Sequence, residues 1–136
     1  MKITSNVKGQ LALSKTELRA LELGYIPSKP IFDTRYDLIL DDLNELKRVQ
    51  VKYADGKMSN SDGSVRVKLE YKDRRRNIYT YKKEEVDGLI VYLPRVNKLC
   101  FFPPNVFIGK KYLCIRVSQS KNNQQKGVLF ANKFFW

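Results

Sequence analysis

An α+β domain, one N-terminal helix followed by a mixed β-sheet, is what this sequence predicts. Three observations carry the prediction. Leucines and alanines recur at helical spacing over residues 6–23. From there to residue 117, short segments rich in Val, Ile, Leu and Tyr alternate with clusters of Gly, Asn, Asp and Ser. One such segment, Gly88 to Leu93, is apolar almost throughout, as a central strand buried on both faces has to be.

The helix is expected over 6–23, where Leu11, Leu18 and Leu21, with Ala12 and Ala20 beside them, step by threes and fours. Gly24 suits its C-terminal cap. Tyr25 and Ile26 start a first strand, interrupted by Pro27 and Pro30. Strands follow near 36–41, 46–54, 65–71 and 77–82, and polar Asp41 to Glu45 returns the chain antiparallel between the first two. Met58 to Ser64 reads as a loop or hairpin tip. After 88–93, Pro94 to Asn97 turns the chain into Lys98 to Phe102, which Pro103 and Pro104 end, and 112–117 offers another strand. Ser118 to Gly127 is a polar loop. The tail, Val128 to Trp136, is too apolar to hang free and should pack on the core or on a second subunit. With 136 residues, 43% of them hydrophobic, and no repeat or linker, a single domain is expected over 1–136, its core about 6–104.

Composition excludes several chemistries. The chain has no histidine, which removes Ser-His-Asp and Cys-His catalysis and imidazole-bound zinc. Cys100 and Cys114 lie inside apolar runs and read as buried reduced thiols. No run approaches the ~20 apolar residues that span a bilayer, and the N-terminus shows no signal-peptide pattern; a cytoplasmic, nucleoid-associated protein is expected.

Charge is lopsided. Residues 1–56 carry nine bases and eight acids, whereas 57–136 carry seventeen bases and six acids, and after Asp87 there are eight bases and no acid. Such asymmetry marks a polyanion-binding face. Because the bases lie in β-like segments with Tyr, Asn and Gln, and not along one amphipathic helix, nucleic acid is favoured over a membrane surface.

The stretch Asp33-Thr34-Arg35-Tyr36-Asp37-Leu38-Ile39-Leu40 precedes Val49-Gln50-Val51-Lys52 by a single turn. Strand side chains alternate faces, so Gln50 and Lys52 share one face and Val49 and Val51 the other, while Asp37 stands at the mouth of an apolar strand. An acid, an amide and an ammonium at one sheet edge can hold a magnesium ion against a phosphate, and phosphodiester cleavage needs those parts.

A helix followed by a mixed sheet with this D…QxK pair resembles the PD-(D/E)XK nuclease fold. More narrowly, Lys8-Gly9, Gly24-Tyr25, the two stretches above (with Arg48) and Glu85 to Tyr92 resemble the group I intron-encoded homing endonucleases of that fold, known from bacteria including cyanobacteria. The resemblance covers roughly residues 8–104. It implies a restriction-endonuclease-like core with an extra hairpin and loops for DNA contact. It further implies that Asp37, Gln50 and the Val51 carbonyl bind Mg2+, with Mn2+ able to substitute, and that Lys52 orients the attacking water and stabilises charge on the phosphate. The family also supplies a carboxylate from the first helix, about four residues after Lys-Gly. Here Ala12 and Leu13 stand in that region; either Glu17, one turn on, substitutes, or the site is short one ligand, or a substitution has removed it.

Candidate DNA contacts lie in two elaborations, 57–82 and 118–127. Arg66, Lys68, Lys72, Arg74, Arg75, Arg76 and Lys82 surround an expected hairpin, with Arg66 and Lys68 on one face as a β-ribbon in the major groove requires. Lys121, Asn122, Asn123, Gln124, Gln125 and Lys126 are the second set, with Arg116 just before that loop; amide and guanidinium side chains can pair with base edges, whereas lysine mostly anchors phosphate. One small subunit with one site cannot span a long target and cut both strands. A homodimer or dimer of dimers on a long pseudo-palindromic duplex is expected, with tail 128–136 as the subunit contact. Two alternatives stay open: a structure-selective nuclease of the Holliday-junction-resolvase type, and a catalytically inactive DNA-binding module.

Overall fold

Ser5–Glu22 form the helix, α1, within a computed structural model that describes residues 2–58, 61–119, 122 and 125–136. Thr4 caps its start, the hydroxyl accepting the Val7 N–H at 3.4 Å. Gly24 ends it at φ +88°, the left-handed conformation that lets Gly24 N–H reach Leu21 O at 3.1 Å and Tyr25 N–H reach Ala20 O at 2.9 Å. The buried stripe differs from the expected one. Ala12, Thr16 and Ala20 are buried, while Leu18 and Leu21 are 60% and 61% exposed. Small residues at i, i+4 and i+8 let the helix backbone approach the sheet closely, and Thr16 satisfies its hydroxyl on Ala12 O at 2.9 Å.

Among the described residues ten strands follow: β1 (Ile26–Ser28), β2 (Leu38–Asp41), β3 (Leu46–Tyr53), β4 (Gly56–Met58), β5 (Ser61–Lys68), β6 (Tyr71–Lys72), β7 (Ile78–Tyr79), β8 (Gly88–Leu93), β9 (Lys98–Phe102) and β10 (Tyr112–Arg116). A short helix, α2 (Pro104–Phe107), starts where the proline pair ends β9, since proline suits the first helical turn.

The main sheet runs β1-β2-β3-β8-β9, antiparallel throughout except for the parallel β3–β8 pair. It is a mixed sheet, with β8 buried along its whole length. Alternation explains why β8 is apolar on both sides. Ile90 and Tyr92 join Leu38, Val49, Val51, Ala12 and Ala20 beneath α1; Leu89, Val91 and Leu93 join Phe102, Phe107, Val65, Val67 and Ile115 on the other face.

That second face is covered by a three-stranded sheet, β10-β5-β4, beside which β6 and β7 form a separate two-stranded hairpin. The single hairpin expected over 57–82 is therefore two structures. β5 turns its apolar side chains Val65 and Val67 inward and pairs with β10, where Leu113 and Ile115 match them; 77–82 offers β5 no comparable row. The tail packs on its own core: Phe134 lies 4.8 Å from Phe102 between ring centroids, and Trp136 N–H reaches Leu99 O at 3.0 Å along the outer edge of β9. Among the described residues no helix is long and apolar enough to cross a membrane.

Candidate active site

The end of β2 builds the site. Leu38 pairs with Val49, and Asp37, the residue before it, still donates its N–H to Val49 O at 2.9 Å. There β2 stops while β3 runs on. The Asp37 carboxylate takes over the vacated edge, Oδ2 accepting the Val51 N–H at 2.8 Å. In a strand the N–H and C=O of one residue point to the same edge, so the Val51 carbonyl faces the same opening. Leu38, Val49 and Val51 point beneath α1, which leaves Asp37, Gln50 and Lys52 on the opposite face, as alternation predicts.

Burial dominates both ionisable groups. It pushes the Asp37 carboxyl above its ordinary range, against the Val51 N–H and the Lys52 charge, which pull it down. It pushes the Lys52 ammonium below its ordinary range; Asp37 opposes this, while Arg35 and Lys68 add to it. Tyr81 forms the wall, its ring centroid 5.8 Å from Lys52 Nζ and its hydroxyl pushed up to about 12 by burial.

Arg35, which sequence reasoning did not single out, also enters the site. Its guanidinium lies over Tyr71 at 3.5 Å and over Tyr81 at 4.4 Å, with Nε donating to Glu85 Oε2 at 3.3 Å. Its place two residues before Asp37 was the only available signal. Nearby, Arg48 grips Asp87 through Nε at 3.0 Å and Nη2 at 3.2 Å, and its backbone N–H reaches the same carboxylate at 2.8 Å. This clamp aligns the starts of β3 and β8.

Glu17 is ion-paired with Lys29 at 2.9 Å, and no described contact joins it to Asp37, Gln50 or Lys52. Ala12 is sealed between α1 and the sheet. Among the described residues no group of three His, Cys, Asp or Glu could hold a metal. The groups on this edge that could serve as donors are one carboxylate (Asp37), one carboxamide (Gln50) and one backbone carbonyl (Val51), all oxygen. They fit Mg2+, which keeps several waters and is held by one or two carboxylates together with substrate phosphate; they do not make a closed protein cage.

The basic residues divide by environment. Arg66 and Lys68 are exposed along the outer face of β5, with the Arg66 guanidinium 3.7 Å over Tyr112. Lys72 and Lys82 are exposed, as are Arg74, Arg75 and Arg76 at the tip of the β6–β7 hairpin. Asp73 builds that tip, accepting Arg75 N–H at 2.8 Å, Asn77 N–H at 2.9 Å and the Tyr79 hydroxyl at 3.0 Å. Arg116 is half-buried and donates to Ser118 O and Gln119 O, each at 2.8 Å, which ties it to the chain just after β10. Asn122, Gln125 and Lys126 are exposed; Lys121, Asn123 and Gln124 lie outside the described residues.

Comparison with known proteins agrees with this fold. A family model described as PD-(D/E)XK endonuclease matches residues 3–136. The bacterial homing endonuclease I-Ssp6803I has a similar structure, with a TM-score of 0.79 and 22% identity, covering 97% of this chain and 88% of its own. Hjc, a Holliday junction resolvase from Archaeoglobus fulgidus, is similar at a TM-score of 0.51 and 12% identity, over 80% of this chain and 84% of its own. No curated protein matches the sequence.

Proposed function

The chain belongs to the PD-(D/E)XK endonuclease family, and from that premise we propose that it is a site-specific homing endonuclease that cuts both strands of DNA with Mg2+ and so initiates group I intron mobility. The observation that carries this is Asp37 capping the open edge of β3 through the Val51 N–H at 2.8 Å, with the Lys52 charge acting on it. Asp37, Gln50 and the Val51 carbonyl would hold the cation. When bound, it supplies Lewis-acid polarisation of the phosphoryl oxygen and neutralises charge on the phosphate. Lys52 orients the attacking water and stabilises the charge that grows on the phosphorane-like oxygens as water adds in line and the 3′-oxygen leaves. The products are a 5′-phosphate and a 3′-hydroxyl. Tyr81 and Arg35 exclude bulk water from one side of the reacting group. The exposed bases of β5 and of the β6–β7 tip bind the backbone of the same duplex.

One site per chain requires a homodimer or dimer of dimers on a pseudo-palindromic target. Since the tail is engaged on its own β9, the subunit contact draws on what it leaves exposed, such as Phe135 at 45%.

The test is cleavage of plasmids carrying an intronless or an intron-interrupted allele, in Mg2+ and in chelator. A homing enzyme linearises only the intronless plasmid, and only with metal. Lys52→Ala and Asp37→Ala should retain DNA binding and lose cleavage; parental cleavage by Lys52→Ala would falsify the site. The likeness of fold to Hjc supports a second reading, a junction-selective nuclease, which predicts preference for four-way junctions over either linear allele. The single-carboxylate donor set supports a third, a binder without cleavage.

A further inference from the structure

Arg35 is held in a way that packing alone does not explain. Two aromatic rings at 3.5 and 4.4 Å and the Glu85 carboxylate at 3.3 Å fix the plane of its guanidinium. Yet Nη2 is buried and has no hydrogen-bond partner among the described residues. Buried donors are nearly always satisfied, and a guanidinium is the side chain with most donors to satisfy. Charge points the same way. The Arg35 and Lys68 charges both disfavour the Lys52 ammonium, and Asp37 alone opposes them there, while Glu85 faces Arg35. Glu85 is further occupied by the Lys82 N–H at 3.2 Å. An anion is missing from this arrangement.

We propose that Arg35 is a phosphate-binding residue of the site, its Nη2 edge donating to a non-bridging oxygen of the DNA phosphodiester that lies beside Lys52. This rests on the nuclease function proposed above and names a contact that function does not require. A phosphodiester monoanion suits the position because the planar fork of a guanidinium matches two phosphoryl oxygens, whereas a lysine offers only a point charge. The hairpin supplies the direction of approach. Tyr71, on which Arg35 stacks, is the first residue of β6, and the same hairpin exposes Arg74, Arg75 and Arg76 at its tip. A backbone bound along that tip is led toward Arg35.

Two measurements test this. In the first, parental protein in chelator is titrated with a short DNA duplex and, separately, with dimethyl phosphate, while NMR follows the Arg35 Nε–H and the Tyr71 and Tyr81 rings. With duplex, all three signals should shift, and in Arg35→Ala the two rings should cease to respond while the β6–β7 tip still does. If in the parental protein the three signals stay fixed while the tip signals move, Arg35 only pins the hairpin and the proposal is overturned. Dimethyl phosphate moving them as well extends the contact to the isolated phosphodiester. In the second, single-turnover cleavage is measured at saturating protein. Arg35→Ala and Arg35→Lys should each slow it roughly 10²-fold, as loss of one aimed donor does, with half-saturation moved less than about threefold and both variants folded at the assay temperature. A parental rate in either folded variant also overturns it. Should the parent cut nothing, the endonuclease function fails while the first titration, which needs no cleavage, still decides Arg35.

Discussion

Replacing Lys52 with methionine should separate function from stability, because the two respond with opposite sign. Methionine keeps much of the stem and removes the charge. In the site that charge meets one attractive partner, Asp37, against burial and two repelling cations, Arg35 and Lys68, and the balance depresses its folded pKa. A lysine with a depressed folded pKa means that the unfolded chain binds more protons, so stability rises with pH through that interval and is reduced at neutral pH. Lys52→Met removes this penalty: at pH 7 the variant should melt no lower than the parent and should lose the parent's gain in stability toward alkaline pH. Activity should go the other way. A unit charge about 4 Å from a phosphoryl oxygen, at an effective dielectric near 20, is worth about 4 kcal/mol. Part of that acts on bound substrate as well as on the transition state, so the expected fall in single-turnover cleavage is about 10²–10³-fold. Urea titrations between pH 7 and 10, with cleavage at saturating protein, read both. A variant that is less stable at pH 7 and cleaves at the parental rate would refute the electrostatic picture of the site.

Three further outcomes follow from the geometry. Gln50→Asp adds a second carboxylate to a site with one, so half-maximal cleavage should need less Mg2+, and chelator should abolish cleavage in both proteins while leaving binding. Converting Arg74, Arg75 and Arg76 together to alanine should reduce the slope of log binding constant against log salt by up to about 2.7, roughly 0.9 for each phosphate no longer neutralised; an unchanged slope would remove the hairpin tip from the interface. At Gly88 an added Cβ would stand 2.4 Å from Phe101 Cζ, so Gly88→Ala should destabilise by roughly 1–3 kcal/mol in denaturant titrations, and Phe101→Leu in the same chain should recover most of that loss.

Much of this architecture is legible in the residues, and the exceptions share a cause. Strand positions and faces follow from period-two alternation: Val49 and Val51 under α1, Gln50 and Lys52 away from it, Arg66 and Lys68 outward from Val65 and Val67. The pairing of Asp37 with the Gln50–Lys52 edge is legible because only one short turn separates β2 from β3. The helix was visible but its inner face was not, since leucines give a stronger periodic signal than the Ala12, Thr16 and Ala20 row that packs. The β5–β10 pairing and the stacking of Arg35 on Tyr71 and Tyr81 join residues far apart in sequence. No local pattern encodes either. Glu17 illustrates the same limit, because its partner Lys29 comes from the far side of the helix–strand connection.

Two acid–base pairs involving β3 support the proposal that the Asp37 edge is the functional one. Arg48 and Asp87 behave as an ion pair that the fold wants: mutual hydrogen bonding raises the arginine and lowers the carboxyl, and the carboxylate also takes the Arg48 backbone N–H. Asp37 and Lys52 do the reverse, the carboxyl rising and the ammonium falling, because burial outweighs their attraction. Four residues along the same strand, one pair is satisfied and the other is not. Sheet alignment needs only the first, since the clamp fixes β3 against β8 without help from Lys52. The second pair, with the unmet Arg35 donor beside it, is what remains when a fold holds charges in place for partners it does not itself contain. On the reading proposed here a hard cation would meet the need of Asp37, and a phosphate the needs of Lys52 and Arg35. On the proposed function both would arrive together with DNA, and a site with one carboxylate would then suffice because the substrate phosphate completes it.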